Sequence, residues 1–116
     1  MTKFVRVILS DEAEEVYKYL IKQSENSKIE RSILNSFNKK KELIKLNPRY
    51  GVSIKKKIIP KEYINKYEVD NLFRVELPNF WRMLYSLTEN ESKVEIIAFV
   101  IDIIDHKVYN KKFGYK

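Results

Sequence analysis

Residues 94–104, VEIIAFVIDII, form an almost unbroken run of apolar side chains. A strand that is apolar on both faces must be covered on both faces by other elements. The run therefore predicts a central strand of a sheet with a layer packed on either side. The whole chain has 116 residues. That length is enough for one compact core and too short for two ordinary domains, so we expect a single domain over residues 1–116.

Two shorter segments before this run show the period-two alternation of half-buried strands. In residues 72–77 the apolar side chains alternate with Arg74 and Glu76. In residues 80–87 an apolar face lies opposite Arg82. Each segment therefore predicts a strand with one face on the core and the other toward solvent.

The loop between these two strands is constrained by their apolar faces, which must meet the same core. Side-chain alternation then requires an odd number of loop residues, most simply residues 77–79. This register places Val75 opposite Trp81 and Arg74 opposite Arg82.

The first half of the chain predicts a strand followed by a helical hairpin. Residues 3–9 favour a strand, and Ser10 suits the N-cap of a helix. The capping-box pattern in residues 27–30 begins a second helix. That helix ends before Pro48, because proline disfavours helix in the residue that precedes it. The buried face of the second helix is predicted to contain Ile29, Ile33, Phe37 and Ile44.

The remaining segments are shorter. A short strand and a turn of helix after Pro60 are expected between the hairpin and the two half-buried strands. Residues 105–116 predict a short helical or irregular end. The order of elements indicates an α+β fold with an N-terminal strand, a two-helix hairpin packed on a mostly antiparallel sheet of four to five strands, and a short C-terminal helix.

The residue types restrict the chemistry. The sequence has no cysteine and one histidine, which excludes thiolate nucleophiles and thiolate metal sites and argues against a histidine-built zinc site. We therefore expect no metal and no cofactor. No apolar run reaches the roughly 18 residues of a membrane span, and the N-terminus lacks the apolar core of a signal peptide. We expect a cytoplasmic protein without a membrane partner.

The net charge of +7 is unevenly distributed. Residues 39–67 contain ten lysines and arginines and two glutamates, a net of +8, whereas residues 68–110 carry −4. A basic segment attracts phosphate backbones and releases their counterions. A solvated surface that only aids solubility is the alternative explanation. The lysines that we predict to contact nucleic acid are Lys55, Lys56, Lys57, Lys61, Lys107, Lys111 and Lys112.

Two groups of residues are candidates for chemistry. Arg74 and Arg82 share an exposed sheet face, where like charges need a negative group nearby. That group is either Glu76, which would only screen them, or a bound phosphate. In a short terminal helix, His106 and Tyr109 are three residues apart and can contact one ligand. Histidine can exchange protons near neutral pH, although a lone histidine is more often structural or merely exposed.

Three segments in the second half of the chain follow a distinctive order. They are NLFRVEL in residues 71–77, FWRMLY in residues 80–85 and DHKVY in residues 105–109. This order resembles the RelE/ParE toxin superfamily. RelE-type toxins have a strand with basic residues, a strand of the form aromatic-Arg-apolar-apolar-Tyr, and a terminal histidine or arginine with a nearby tyrosine. The resemblance covers roughly residues 50–113, and the helical hairpin before them fits the same fold.

The resemblance implies the toxin of a type II toxin–antitoxin pair, an mRNA interferase. Such an endoribonuclease cuts mRNA in the ribosomal decoding site, without metal, through attack of the 2′-hydroxyl on the adjacent phosphate. It implies that Arg82 holds the scissile phosphate and that Arg74 is the basic residue of the preceding strand. His106 and Tyr109 take the acid/base and the base-stacking or phosphate-contacting positions. The implied protein partner is a cognate antitoxin, acidic and partly disordered.

The chain departs from the superfamily pattern at the general base. Some relatives have a lysine where this chain has Glu76. Others place a glutamate before the first of these strands, where this chain has Glu62 among several lysines. The resemblance therefore does not identify the general base. ParE-type members act on DNA gyrase, so the alternative function is a non-nucleolytic toxin or a binding module, either a gyrase inhibitor or a domain that binds RNA or protein.

Overall fold

The computed structural model describes residues 4–89 and 95–114. These residues confirm the predicted α+β fold. Three predicted features lie outside the described residues: the start of the first strand at Lys3, most of the turn that precedes the last strand, and the end of the C-terminal tail. The strands are β1 Phe4–Leu9, β2 Val52–Ser53, β3 Phe73–Leu77, β4 Trp81–Glu89 and β5 Glu95–Asp105. The α-helices are α1 Asp11–Ser24, α2 Lys28–Leu46, α3 Lys61–Tyr67 and α4 His106–Phe113, with short 3₁₀ turns at Lys56–Ile58 and Pro78–Phe80.

The five strands form one sheet in the order β1-β5-β4-β3-β2. Only the β1–β5 pair is parallel, and the other pairs are antiparallel. The long apolar run is therefore an inner strand, as predicted. One face of β5, with Val100 and Ile103, joins the core beneath α1 and α2. The other face, with Ile101 and Ile104, packs with residues of α3 and α4.

Local signals place the helices where the sequence predicted them. Ser10 accepts a hydrogen bond from the Ala13 amide at 3.0 Å and begins α1. The Ser10 hydroxyl also donates to the Ile101 carbonyl at 2.6 Å, which fixes the start of α1 against β5. Ser27 caps α2, because its hydroxyl oxygen accepts a hydrogen bond from the Glu30 amide at 3.4 Å. The Glu30 carboxylate contacts the Ser27 hydroxyl, whereas the Ser27 amide donates to the Gln23 carbonyl at 3.0 Å, so only one half of the predicted capping box forms.

The buried face of α2 is shorter than predicted. Ile33, Phe37 and Ile44 are buried, but Ile29 is 55% exposed. Ile29 lies in the first turn of α2, beside the turn that joins the two helices, and the helix enters the core only from Ile33 onward.

The register between β3 and β4 differs from the prediction. The observed pairs are Leu77–Trp81, Glu76–Arg82, Val75–Met83 and Arg74–Leu84. The predicted pairing of Arg74 with Arg82 and of Val75 with Trp81 is therefore wrong. The loop has an odd length as predicted, but it consists of Pro78–Phe80. Alternation fixes only the parity of the loop, and a shift of two residues leaves every side chain on its face. Proline lacks an amide hydrogen, so the ladder ends at the residue before it.

No helix within residues 4–89 and 95–114 is long and apolar enough to cross a membrane.

Candidate nucleic-acid site

Two arginines lie on the sheet face that is turned away from α1 and α2. Arg74 belongs to β3 and Arg82 to β4, and their alternate neighbours in each strand are buried in the core beneath the helical hairpin. Because Arg82 pairs with Glu76, the two guanidinium groups lie on either side of one carboxylate. The Arg74 Nε atom is 3.0 Å from Glu76 Oε1, and the Arg82 Nε atom is 3.4 Å from Glu76 Oε2. The expected negative group between the arginines is therefore Glu76 in this structure.

The two arginines are much less exposed than the glutamate between them. The side chains of Arg74 and Arg82 retain 31% and 18% of their accessible surface, whereas Glu76 retains 60%. A partly desolvated guanidinium keeps its planar donor geometry and binds carboxylate or phosphate strongly. The exposed carboxylate can turn into solvent without disturbing the core. The arrangement can therefore exchange its internal anion for an external one.

Tyr109 connects this pair of arginines to helix α4. Asp105 accepts a hydrogen bond from the Val108 amide at 2.9 Å and begins α4 directly after β5. One turn later the Tyr109 hydroxyl accepts a hydrogen bond from Arg74 Nη1 at 2.9 Å. The guanidinium carbon of Arg82 lies 4.6 Å from the centre of the Tyr109 ring, within the range of a cation–π contact.

Tyr109 is itself buried, with 3% of its surface exposed. Its ring stacks on Phe113 with centroids 4.3 Å apart, and both rings belong to the core beneath α4. Tyr109 therefore orients both guanidinium groups from below. Arg74, Glu76, Arg82 and Tyr109 form one cluster, which we call the arginine cluster.

His106 lies at the rim of the arginine cluster. It is the first residue of α4 and is exposed. Its ring centre is 5.9 Å from that of Phe80, with the planes tilted by 51°. The Phe80 carbonyl accepts a hydrogen bond from Arg82 Nη1 at 3.4 Å. Phe80 therefore lies between the imidazole and a guanidinium group.

Phe80 was not among the residues that the sequence predicted for the site. Its side chain is 75% exposed. The sequence placed Phe80 at the start of a strand, whereas it ends the loop between β3 and β4. The signal that could have found it is Pro78, which cannot extend the β3 ladder and so moves the loop toward Phe80.

The predicted nucleic-acid-binding lysines have different surroundings. Six are exposed, on the segment before α3, at the start of α3 and on α4: Lys55, Lys56, Lys57, Lys61, Lys107 and Lys111. Lys112 instead turns inward. Its Nζ atom is 3.1 Å from Glu62 and 3.7 Å from Asp102.

Asp102, with 8% of its surface exposed, is at the centre of a second polar group that the sequence did not reveal. Tyr63 donates a hydrogen bond to Asp102 at 2.5 Å. Burial raises the pKa of Asp102 above its usual value, and the Tyr63 hydrogen bond and the Lys112 charge oppose the rise. Burial and the neighbouring carboxylate also raise the pKa of Tyr63. This group joins β5, α3 and α4 and so supports the helix that carries Tyr109.

A third ionic group joins α1 to α3. Lys66 and Tyr67 both hydrogen-bond the carboxylate of Glu12. These bonds lower the pKa of Glu12 to about 2. The group ties the end of α3 to the layer on the opposite face of the sheet.

An open cleft lies at the opposite end of the β3–β4 hairpin from Arg82. It has a volume of about 740 Å³ and is bordered by Arg49, Asn71, Phe73 and Leu87 among others. None of the four residues of the arginine cluster borders this cleft.

Comparisons of this chain with known protein families, with curated proteins and with solved structures find no match. The likeness to RelE-type toxins therefore depends on the order of motifs quoted above and stays a prediction. Within the described residues, no group of three or more histidines, cysteines, aspartates or glutamates is arranged to hold a metal ion.

Proposed function

We propose that this protein binds single-stranded RNA at the arginine cluster and cleaves it without metal, as a RelE-like toxin acting on mRNA in the ribosomal decoding site. The observation that carries the proposal is the pair of partly buried guanidinium groups oriented by one tyrosine around an exposed carboxylate. A phosphodiester that replaces Glu76 would find two planar donors already in position.

The proposed reaction forms a bond between the 2′-oxygen and phosphorus while the bond to the 5′-oxygen of the next nucleotide breaks. The products are a 2′,3′-cyclic phosphate and a free 5′-hydroxyl. Arg74 and Arg82 stabilise the negative charge that develops on the phosphate oxygens. His106, exposed at the rim, supplies the proton to the leaving 5′-oxygen. Glu76, once released from the arginines, is the candidate acceptor for the 2′-hydroxyl proton.

In this proposal Tyr109 is a positioning residue. It is buried and hydrogen-bonded to Arg74, so it acts through the guanidinium groups and does not meet a base in solvent. The six exposed lysines around α3 and α4 extend the positive field beyond the cluster. The same exposed cations would suit an acidic, partly disordered antitoxin that covers the site.

A binding module without nuclease activity is the second candidate. The observation that favours it is the ion pairing of Glu76 with both arginines, which neutralises part of the site when no ligand is present. Such a module would bind RNA with an affinity that falls with salt, and it would leave the message intact.

The test is a translating cell-free extract to which the purified protein and a labelled message are added. We expect translation to stall and the message to be cut, and we expect Arg82→Gln and His106→Ala to abolish both effects. Arg31→Gln is the matched control, because it removes the same charge from an exposed position on α2.

An intact message with the native protein in the presence of active ribosomes would refute the nuclease. Cleavage that survives in both Arg82→Gln and His106→Ala would refute this site. An intact message together with inhibited supercoiling by gyrase would support the gyrase-directed alternative.

A further inference from the structure

We infer that the Phe80 ring is a stacking surface for an unpaired base next to the phosphate held by the arginine cluster. The inference rests on the proposed function, which it deepens by naming a base-binding residue. It concerns single-stranded RNA, since the bases of a rigid duplex stack on one another and are closed to an aromatic side chain.

The first observation is the position of the ring. Phe80 is 75% exposed, although it belongs to a tight loop between two core strands. Its own carbonyl accepts a hydrogen bond from Arg82, and its ring lies against His106. An exposed aromatic side chain alone needs no functional explanation. Here the ring is two residues before Arg82, whose guanidinium group belongs to the arginine cluster.

The second observation is the backbone of the loop. Asn79 and Phe80 have φ angles of 60° and 62°, so both lie in the left-handed region. Asparagine tolerates this region, but a bulky residue such as phenylalanine seldom adopts it. Glycine would take the same conformation without strain. Strained positions of this kind concentrate at functional sites, so a strained and exposed phenylalanine points to a role in binding.

The third observation is the combination of groups around the ring. Proteins that bind single strands combine cations along the backbone path with aromatic rings on which bases stack. Arg82 and His106 flank Phe80, and Lys107 follows on the exposed side of α4. Arg82 and Lys107 supply positive charge beside the ring, and Glu76 and Asp105 are the nearby acidic residues. The combination of basic side chains with two exposed rings suits a nucleotide better than an apolar protein segment.

The test measures the affinity for a fluorescently labelled single-stranded RNA oligonucleotide at several salt concentrations. Phe80→Leu keeps an apolar side chain and removes the ring, whereas Phe80→Tyr keeps the ring. We expect Phe80→Leu to weaken binding roughly tenfold, the lower to middle part of the range for loss of one stacked base, and Phe80→Tyr to bind like the native protein. Tyr19→Leu is the control, because Tyr19 is an exposed aromatic residue on α1.

The salt dependence distinguishes stacking from charge. Phe80→Leu removes no charge, so the slope of log affinity against log salt should not change. Arg82→Gln should lower the magnitude of that slope by about one. Equal RNA affinities of the native protein and Phe80→Leu would overturn the inference. If Phe80→Leu binds RNA normally but no longer binds a protein partner, the ring serves protein docking and the inference is overturned.

Phe80→Gly adds a measurement that does not depend on activity. It should raise the thermal midpoint, because glycine relieves the strain at this φ angle, and it should lower the RNA affinity. A lower midpoint would show that the ring stabilises the fold and would overturn the inference. If RNA binding depends on Phe80 but the translating extract shows no cleavage, the nuclease is refuted. The stacking surface is supported in that case. Absence of RNA binding at low salt in the native protein would overturn the inference, while cleavage of the message in the translating extract would still support the nuclease.

Discussion

The Tyr109 hydroxyl lies 2.9 Å from Nη1 of Arg74 and accepts its hydrogen bond. This contact joins α4 to β3, and its two residues are 35 positions apart in the sequence. The same phenol ring also lies beneath the guanidinium of Arg82. The spacing and orientation of the two cations therefore depend on how α4 docks.

Tyr109→Phe should loosen the arginine cluster without unpacking the core. The variant keeps the ring, its stacking on Phe113 and its contact with Arg82, and it loses only the hydroxyl that receives the Arg74 hydrogen bond. We expect the free energy of unfolding to fall by about 1 kcal/mol and RNA affinity to fall severalfold. Urea unfolding and RNA titration measure the two effects.

Tyr109→Ala is the companion variant, and it should lower the free energy of unfolding by about 3–5 kcal/mol because it removes a buried aromatic ring. An RNA affinity of Tyr109→Phe equal to that of the native protein would show that Tyr109 only fills the core.

Glu76→Gln should strengthen anion binding. The substitution removes the negative charge between Arg74 and Arg82 while it keeps the size of the side chain. We expect RNA to bind severalfold more tightly, because the arginines no longer lose an internal ion pair when RNA binds. Glu42→Gln is the matched control, since it removes the same charge from an exposed position on α2.

The cleavage assay uses Glu76→Gln to test whether Glu76 is the proton acceptor. Tighter binding together with loss of cleavage would identify Glu76 as the proton acceptor. Equal RNA affinities of Glu76→Gln and Glu42→Gln would show that the carboxylate does not compete with the ligand.

Local signals in the sequence predicted the elements and the faces of the site well. The caps at Ser10 and Ser27 depend on neighbours within a few residues, so their patterns could be read directly. Alternation likewise placed Arg74 and Arg82 on one face without knowledge of the fold.

The register could not be predicted, because parity allows several loops of odd length. The choice among them depends on Pro78 and on two residues in the left-handed conformation, Asn79 and Phe80. Glycine is the usual sequence signal for such a turn, and neither residue is a glycine. The exposed ring of Phe80 was missed for the same reason.

The burial of Asp102 was also beyond prediction. In the sequence it is one polar residue in an apolar run. Its partner Tyr63 lies 39 positions earlier, on α3, and its partner Lys112 lies near the end of α4. A register irregularity between β4 and β5 next to Leu84 further disturbs the alternation there. The docking of α4, and with it the burial of Tyr109, depends on this tertiary contact.

Gly51→Ala should destabilise the edge of the sheet beside the arginine cluster. A β-carbon at this position would lie 3.0 Å from the Arg74 carbonyl oxygen and 3.1 Å from atoms of both Phe73 and Tyr85. These neighbours are the backbone of β3 and a buried ring, which cannot move freely. We expect the free energy of unfolding to fall by about 1–3 kcal/mol. Ser53→Ala, at an exposed position in β2, is the control. Equal stabilities of the two variants would show that β2 can move away from β3 without cost.

The buried carboxylate of Asp102 should make stability depend on pH in a direction that is unusual for an aspartate. Because burial raises its pKa above the ordinary 3.8, the folded protein holds this proton more tightly than the unfolded chain. The resulting stabilisation is complete below pH 3.8 and is lost as the pH rises through the folded pKa.

The variant Asp102→Asn tests this dependence, because its amide cannot titrate and keeps an oxygen that accepts the Tyr63 hydrogen bond. The free energy of unfolding of Asp102→Asn minus that of the native protein should therefore increase between about pH 3 and about pH 7. Tyr63→Phe should steepen the dependence, because it removes the hydrogen bond that favours the ionised carboxylate. Urea unfolding across this range measures both effects, and a difference that stays constant or decreases with pH would contradict a raised pKa at Asp102.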